Sequence, residues 1–382
     1  MTTTERWPGR VALMVAHCAG MVDLVALPVW VGTLISAFGF DPQRAGGLAT
    51  LFLAGAVLAS LFFAPRFNRL NRRVVATIGF ALSALAFGFA SLQTEFAMMA
   101  ACHMAAGVAA GSALSVTHGT IGRAANPHRL FAIVGVALGI FAIMFLGTTP
   151  NLVAALGGAA LFRVFAALMA LAAITSAVLF PVPDHAQGTD FDIVHPKLTG
   201  AVWAGVIGVS LMALNQAMVF SFLERIGADR GYGVEAITAL LIVLGVVNLF
   251  PAPLAAVLET KLNAERVVMA GPVVQAVLAL IITMVSVYPA YAGAGAVLVS
   301  VMIFTHTFAF GLLSRLDRSG RALAATPAML MVGAAIGPVL GGTLVKFSGY
   351  PAIGIAAVIV AILATISFSR ARVPHVSVQP AE

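Results

Sequence analysis

The segment Met21-Val22-Asp23-Leu24-Val25-Ala26-Leu27-Pro28 places a carboxylate midway along an apolar run. A carboxylate at the middle of a bilayer is costly unless it is neutralised, paired or wetted. Acids in such places belong to proton or substrate pathways, or they pin a pair of packed helices by hydrogen bonding. Asp23 is the single acid that the hydropathy pattern puts deep inside a span. It is therefore the first candidate for proton coupling. His103, in the run Cys102-His103-Met104-Ala105-Ala106-Gly107, is the second. Its imidazole titrates near neutrality. Asp23 lies twelve residues from one end of its run, ~18 Å at ~1.5 Å per residue. His103 lies seven residues from the opposite end of an oppositely running segment, ~10 Å down in a ~30 Å core. Both fall near one level, so an Asp23–His103 contact is expected. Carboxylate and imidazole favour each other's charged forms while desolvation disfavours both. Such a pair would take up and release a proton as its surroundings are wetted.

A second group of side chains suits a soft metal. Met14, His17, Cys18 and Met21 share one segment; Met98, Met99, Cys102, His103 and Met104 share another; Met302 and His306 are four apart on a third. Thiol, thioether and imidazole suit Cu(I), which makes His17, Cys18, Cys102 and His103 metal candidates. Methionine also packs membrane helices in general, and that alternative stands beside the metal. Asn215, Gln216, Phe220 and His306 are candidates for binding an organic substrate. Asn215 and Gln216 suit helix pairing equally well. Asn248, Gln275 and Arg163 fit structural roles, and His118, near the end of its span, is expected in water.

The elements that carry these residues are membrane helices. The chain is 61% apolar and 9% charged, far less charged than soluble domains. Its polar residues gather between apolar runs long enough to cross ~30 Å of hydrocarbon. Twelve spans are expected, at 11–35, 46–63, 74–92, 96–120, 130–152, 159–181, 198–223, 236–257, 267–287, 290–313, 323–345 and 352–368. Each must be a helix, because lipid satisfies no backbone polar group. The first run is too long for a cleavable signal peptide and is followed by another span. Both cysteines lie inside apolar runs, which speaks against a structural disulfide.

With the N-terminus in the cytoplasm, inside segments hold sixteen of the 21 Lys and Arg residues and outside segments hold five. This bias sets the orientation, with both termini cytoplasmic in an inner (cytoplasmic) membrane. It also explains the net charge of +7 without nucleic acid. The polar stretch 183–197 reads as a cytoplasmic linker between an N-terminal bundle, 1–182, and a C-terminal bundle with a short tail, 198–382. Arg69-Leu70-Asn71 before the third span and Lys261-Leu262-Asn263 before the ninth are 192 residues apart, half the chain. Two parallel six-helix repeats around a central site form a transporter architecture.

The loop Ala64-Pro65-Arg66-Phe67-Asn68-Arg69-Leu70-Asn71-Arg72-Arg73 resembles the Gly-x-x-x-Asp-Arg-x-Gly-Arg-Arg signature of the major facilitator superfamily. It keeps Arg69, Arg72 and Arg73 and has Ala64, Asn68 and Asn71 at the glycines and the acid. In the family this loop latches the cytoplasmic helix ends, and loss of the acid at Asn68 implies a weaker latch. Gly333-Ala334-Ala335-Ile336-Gly337-Pro338-Val339-Leu340-Gly341-Gly342 resembles the family's Gly-Pro-x-x-Gly-Gly element, which makes Gly337, Pro338, Gly341 and Gly342 helix-packing residues. In antiporters a related element lies in the fifth span; here that span has Gly135, Gly139 and Gly147 with no proline between them. The Asp23-to-Pro28 run and the fourth span resemble the twelve-span drug/proton antiporter branch, with His103 at an arginine position and Ala106 at a glutamine.

The resemblance implies an all-α membrane protein with twelve transmembrane helices in two pseudo-symmetric six-helix bundles. It implies alternating access, with a small-molecule substrate, protons and the bilayer as partners and the protein monomeric. Scarce cavity charge points to export of a small, largely apolar organic molecule rather than a sugar phosphate. The alternatives are proton-driven import of a nutrient or siderophore-like compound, copper import, and a non-transporting membrane sensor or assembly factor. The family's copper importers carry helical Met and His pairs on the seventh and eighth spans, an arrangement this sequence does not have. The sequence offers no phosphate-binding loop, catalytic triad or zinc spacing, so no enzymatic role and no cofactor are expected.

Overall fold

A computed structural model of the protein describes residues 3–4, 6–181, 198–317 and 326–372, without the side chains of 128, 326 and 327. The linker 183–197 lies outside the described residues. Twelve helices among them are long and apolar enough to cross a membrane. They run Trp7–Ser36, Pro42–Arg69, Arg72–Ala90, Phe96–Gly122, Arg129–Leu156, Ala159–Leu179, Gly200–Asp229, Val234–Leu258, Ala264–Met284, Tyr288–Leu316, Ala328–Ser348 and Tyr350–Arg370. Large apolar side chains such as Leu85, Met144, Ile174 and Val257 lie exposed on the outside of the bundle, where hydrocarbon surrounds them. Twelve crossings bring both described ends to one face, the terminal face; the opposite one is the far face.

Polar caps start the helices. Asn71 Oδ1 accepts the Val74 N–H and Asn263 Oδ1 accepts the Arg266 N–H, at 3.2 and 3.1 Å. The half-chain repeat is thus a repeated helix start, since each cap satisfies a backbone donor of the first turn. Asn126, Thr199, Asp41 and Glu95 cap other spans. The third span packs on the fourth and sixth, and the ninth on the tenth and twelfth. The same pairing in each half reflects the repeat.

The halves meet through two crossed pairs, the second span on the eleventh and the fifth on the eighth. Gly333, Gly337 and Gly341 recur every fourth residue on one face of the eleventh span. Their Cα positions lie against the seventh span at Ser210, Ala217 and Met218. The carbonyl of Pro338 and the backbone at Gly342 lie instead against the second span, at Gly46 and Pro42. Thr50, on the second span, donates to the Ala335 carbonyl at 2.7 Å and accepts the Val339 N–H at 3.2 Å. Nearer the far face, Lys346 donates to Gln43 at 3.1 Å and lies 3.5 Å from the Asp41 carboxylate. Slight burial of Asp41 works against its charge, but the Arg44 N–H and the Lys346 ammonium outweigh it and hold the carboxyl below the usual range. These links seal the halves to each other on the far side.

Three spans are broken, the seventh at Ser221–Phe222 between the helices Gly200–Phe220 and Leu223–Asp229. The first turns at Met21, between the helices Trp7–Gly20 and Val22–Ser36. The eighth breaks between Val247 and Pro251. The seventh span runs six residues past the expected end at 223. Its extension carries Glu224, Arg225 and Asp229, and Arg225 pairs with Asp229 at 2.5 Å one turn on. Asp23 is therefore not the single acid inside a span, because Glu224 is a second.

Candidate functional site

A cavity of about 340 Å³ lies between the halves. Residues of the first and fifth spans wall one side; the seventh, eighth, tenth and eleventh wall the other. Leu24, Leu27, Leu138, Phe220, Leu244 and Ile303 make most of the lining apolar. Gln216, Asn248 and His306 are the polar side chains of the lining. Asn248 Oδ1 accepts the Ser300 hydroxyl at 2.7 Å. Gln216 Oε1 and His306 Nδ1 are enclosed and have no partner. A ligand that offers hydrogen bonds to these atoms would relieve the cost of leaving them unmade.

Three of the four expected substrate residues, Gln216, Phe220 and His306, line this cavity. The structure places Asn215 elsewhere. It is buried and donates to the Ala357 carbonyl of the twelfth span at 3.4 Å. Neighbouring residues of a helix point about 100° apart, so Asn215 and Gln216 do not share a face.

Asp23 is 2% exposed, and its Oδ1 is enclosed without a partner. It occupies the first turn of the helix that follows the break at Met21, where backbone N–H groups lack helical partners and the dipole is positive. Met21, Leu24 and Val25 line the cavity beside it. Broken helices with binding groups at the break recur at transporter sites.

The expected contact of Asp23 with His103 is not formed. The partner of His103 is Trp30, whose indole Nε1 donates to Nε2 at 3.2 Å. On the other side of the ring Nδ1 lies 2.6 Å from the Met99 carbonyl. A carbonyl accepts only, so Nδ1 carries the proton and Nε2 takes the indole N–H. The imidazole is thus neutral and satisfied at both nitrogens. Rings of Trp30, Phe87 and Phe162 enclose it at 5.4, 6.2 and 5.4 Å. Trp30 is seven residues beyond Asp23, ~10 Å along the helix, and His103 is level with Trp30. The depth estimate failed because it counted the two residues from opposite faces; from the far ends Asp23 lies thirteen residues in from Ser36 and His103 seven from Phe96. His103→Phe should destabilise the protein by about 1–3 kcal/mol, because Trp30 N–H and the Met99 carbonyl lose their partner. Thermal unfolding in detergent measures this, and an unchanged midpoint would deny the hydrogen bonds any weight.

His17 and His118 form a pair that the sequence reading missed. His17 Nδ1 lies 3.0 Å from His118 Nε2, with ring centroids 5.1 Å apart. His118 is half-buried rather than solvated. The soft-metal candidates do not converge. His17 faces His118, His103 is enclosed by rings, Cys18 is half-buried and Cys102 buried. Among the described residues no three His, Cys, Asp or Glu side chains gather.

The latch loop holds together differently from an acid–arginine pair. Arg73 donates to the Ala177 and Val178 carbonyls at 2.8 and 2.5 Å, tying the third span to the end of the sixth. Arg72 and Arg123 lie 4.7 and 4.1 Å from the ring centre of buried Phe67. Burial, then the Arg72 charge, lowers Arg123 from its ordinary value. An aromatic face thus gathers the cations where Asn68 offers no charge. Asn68 and Arg69 are exposed beside it.

Residues 12–316 match the Major Facilitator Superfamily, and the chain belongs to that family. It is a multi-pass membrane transporter, and the family's mechanism is secondary transport by alternating access. Among solved structures the fold is similar to the nucleoside transporter NupG, with a TM-score of 0.73 and 14% identity over 96% of this chain and 99% of that one. It is similar to a bacterial homolog of the human lysosomal transporter Spinster, inward-facing and occupied, with a TM-score of 0.72 and 12% identity over 95% of each chain. It is also similar to a D-xylose-proton symporter, with a TM-score of 0.71 and 15% identity over 94% and 97%. No curated protein matches the sequence.

Proposed function

We propose that this transporter exports a small, largely apolar and uncharged organic molecule, and that protons drive it through Asp23. The observation that carries the reading is the cavity: apolar walls around two enclosed atoms, Gln216 Oε1 and His306 Nδ1, without hydrogen-bond partners. A substrate that offers a donor to Gln216 and a matching group to the imidazole would satisfy both. A dianion would meet no cation among the lining residues. Asp23, enclosed beside the same cavity, supports proton coupling. The Lys and Arg asymmetry supports cytoplasmic termini in an inner membrane, and hence a cavity sealed from the outside in this state.

Thermal unfolding of the purified protein against a panel of neutral apolar compounds and organic dianions tests the substrate class. Neutral compounds should raise the unfolding temperature, since a ligand that binds the folded state stabilises it. Gln216→Leu or His306→Phe should weaken the best of them about three- to tenfold, the worth of one hydrogen bond. Stabilisation by dianions alone, or binding indifferent to both substitutions, would reject this substrate class. Export is tested by substrate uptake into everted vesicles.

A further inference from the structure

Glu224 meets the first span where that span has no side chain. Gly32 is buried on the helix Val22–Ser36. A Cβ built there would overlap Glu224 Oε2, so the carboxyl fills the notch that glycine leaves. The first span belongs to one half and Glu224 to the other, so this contact is part of the far-face seal. Oε2 is enclosed without a hydrogen-bond partner, while the rest of the residue is partly exposed. The carboxyl is thus one small displacement from far-face water.

The neighbouring charges are committed elsewhere. Arg225 pairs with Asp229 at 2.5 Å, and Asp229 also accepts the Tyr350 hydroxyl. Arg230 donates to the Ile282 and Thr283 carbonyls at 2.8 and 2.7 Å. Tyr291 donates to the Leu223 carbonyl, and Tyr232 to Ser286. The eighth span offers Glu235, exposed in its first turn. The ninth presents uncharged Ile282 and Thr283 at this end. On the Val22–Ser36 helix the one titratable residue is Asp23, nine positions away, ~13 Å.

We propose that Glu224 is a gate acid of the far face: as a neutral carboxyl it fills the Gly32 notch and closes that face, and it gives its proton to far-face water when the halves part. An enclosed carboxylate without a partner is costly, whereas the neutral acid fits the same space. Once hydrated, a glutamic acid carboxyl returns to its ordinary pKa of about 4.3 and is ionised at neutral pH. The O–H bond breaks, the proton passes to water, and reclosure takes one back. Acid on the far face therefore favours closure and alkali favours opening. The role is separate from that proposed for Asp23.

The test is the distance between spin labels on Thr94→Cys and Ser286→Cys, on far-face loops of the two halves, with Cys18 and Cys102 replaced by Ala and the protein in lipid nanodiscs. Between about pH 5 and about pH 8.5 the open, long-distance population should rise at least threefold, roughly, as the carboxyl ionises. Glu224→Gln, a neutral isostere, should hold the short distance at both pH values. Gly32→Ala, which displaces the carboxyl toward water, should show the long distance at both. Measured in an Asp23→Asn background, where Asp23 contributes nothing, the same comparisons between parent, Glu224→Gln and Gly32→Ala should hold. A parent insensitive to pH, a full response in Glu224→Gln, or Gly32→Ala indistinguishable from the parent overturns the proposal. Loss of the response in Asp23→Asn alone assigns the effect to Asp23 and also overturns it. Elution as a monodisperse species confirms that each variant folds, and should Glu224→Gln not fold, the Gly32→Ala arm decides.

Discussion

Asp23→Asn is expected to abolish accumulation of substrate driven by a pH gradient while binding stays within about threefold of the parent, since the residue does not line the cavity. A proton-driven carrier needs a group that is protonated in one access state and ionised in another. Asp23 is enclosed at 2% exposure, with Oδ1 unpartnered. A charge there is expensive in this state. Two features make ionisation attainable once water enters. The break at Met21 leaves Asp23 in the first turn of a helix, where the dipole favours negative charge. Met21, Leu24 and Val25 on either side already face the cavity, so wetting the cavity brings water to the carboxyl. Asparagine keeps the shape but has no proton to release. The assay is flux into proteoliposomes with an imposed pH gradient, beside equilibrium binding. Uphill, proton-driven accumulation by the variant would show that Asp23 has a packing role.

The prediction rests on Asp23 alone because its expected partner is taken. The notion of a tunable Asp23–His103 pair came from counting residues inward from the ends of two apolar runs. That count assumes straight helices that end where hydropathy ends. Counted from the far ends, Asp23 is thirteen residues in from Ser36 and His103 seven from Phe96, an offset of about two turns. The sequence held one clue: Trp30 carries an N–H that must find an acceptor when buried, and His103 is an acceptor in the neighbouring span.

Other features were legible because they depend on local chemistry. The twelve spans follow from apolar run length. The half-chain repeat follows from Asn71 and Asn263, each an N-cap with an extended backbone at φ −76° and −75°. The Gly-Pro-x-x-Gly-Gly element is visible as small residues, but its division between two neighbours is not. Gly337 and Gly341 meet the seventh span, and Gly342 meets the second. Glu224 escaped notice because hydropathy counts Glu224, Arg225 and Asp229 as three polar residues. In the helix Arg225 and Asp229 cancel each other one turn apart, and the span continues through Glu224 and Arg225 to Asp229.

The second large effect lies at the crossing of the second and eleventh spans, where Gly46→Val should stop the transport cycle and Gly47→Val should not. A Cβ at 46 would overlap the carbonyl of Pro338, a backbone atom that cannot swing aside. At Gly47, one residue on, the space is open. The crossing has little room because it is closed by backbone. Pro338 donates no N–H and crowds the carbonyl four residues before it. One residue further, the Thr50 hydroxyl bridges the Ala335 carbonyl and the Val339 N–H, the pair that an uninterrupted helix joins directly. The eleventh span therefore borrows a hydrogen-bonding group from the other half when the far face is shut. When the halves part, that pair must close on itself or take water. Valine at 46 holds the spans apart, so the shut state is lost and the open one remains. Turnover should fall at least a hundredfold, roughly, because a clash of a few kcal/mol removes one access state from the cycle. Substrate should still bind from the far side. The spin-label pair at positions 94 and 286 should report the long distance at every pH. Normal flux in Gly46→Val, or equal loss in Gly47→Val, would show that this crossing is not where the far face closes.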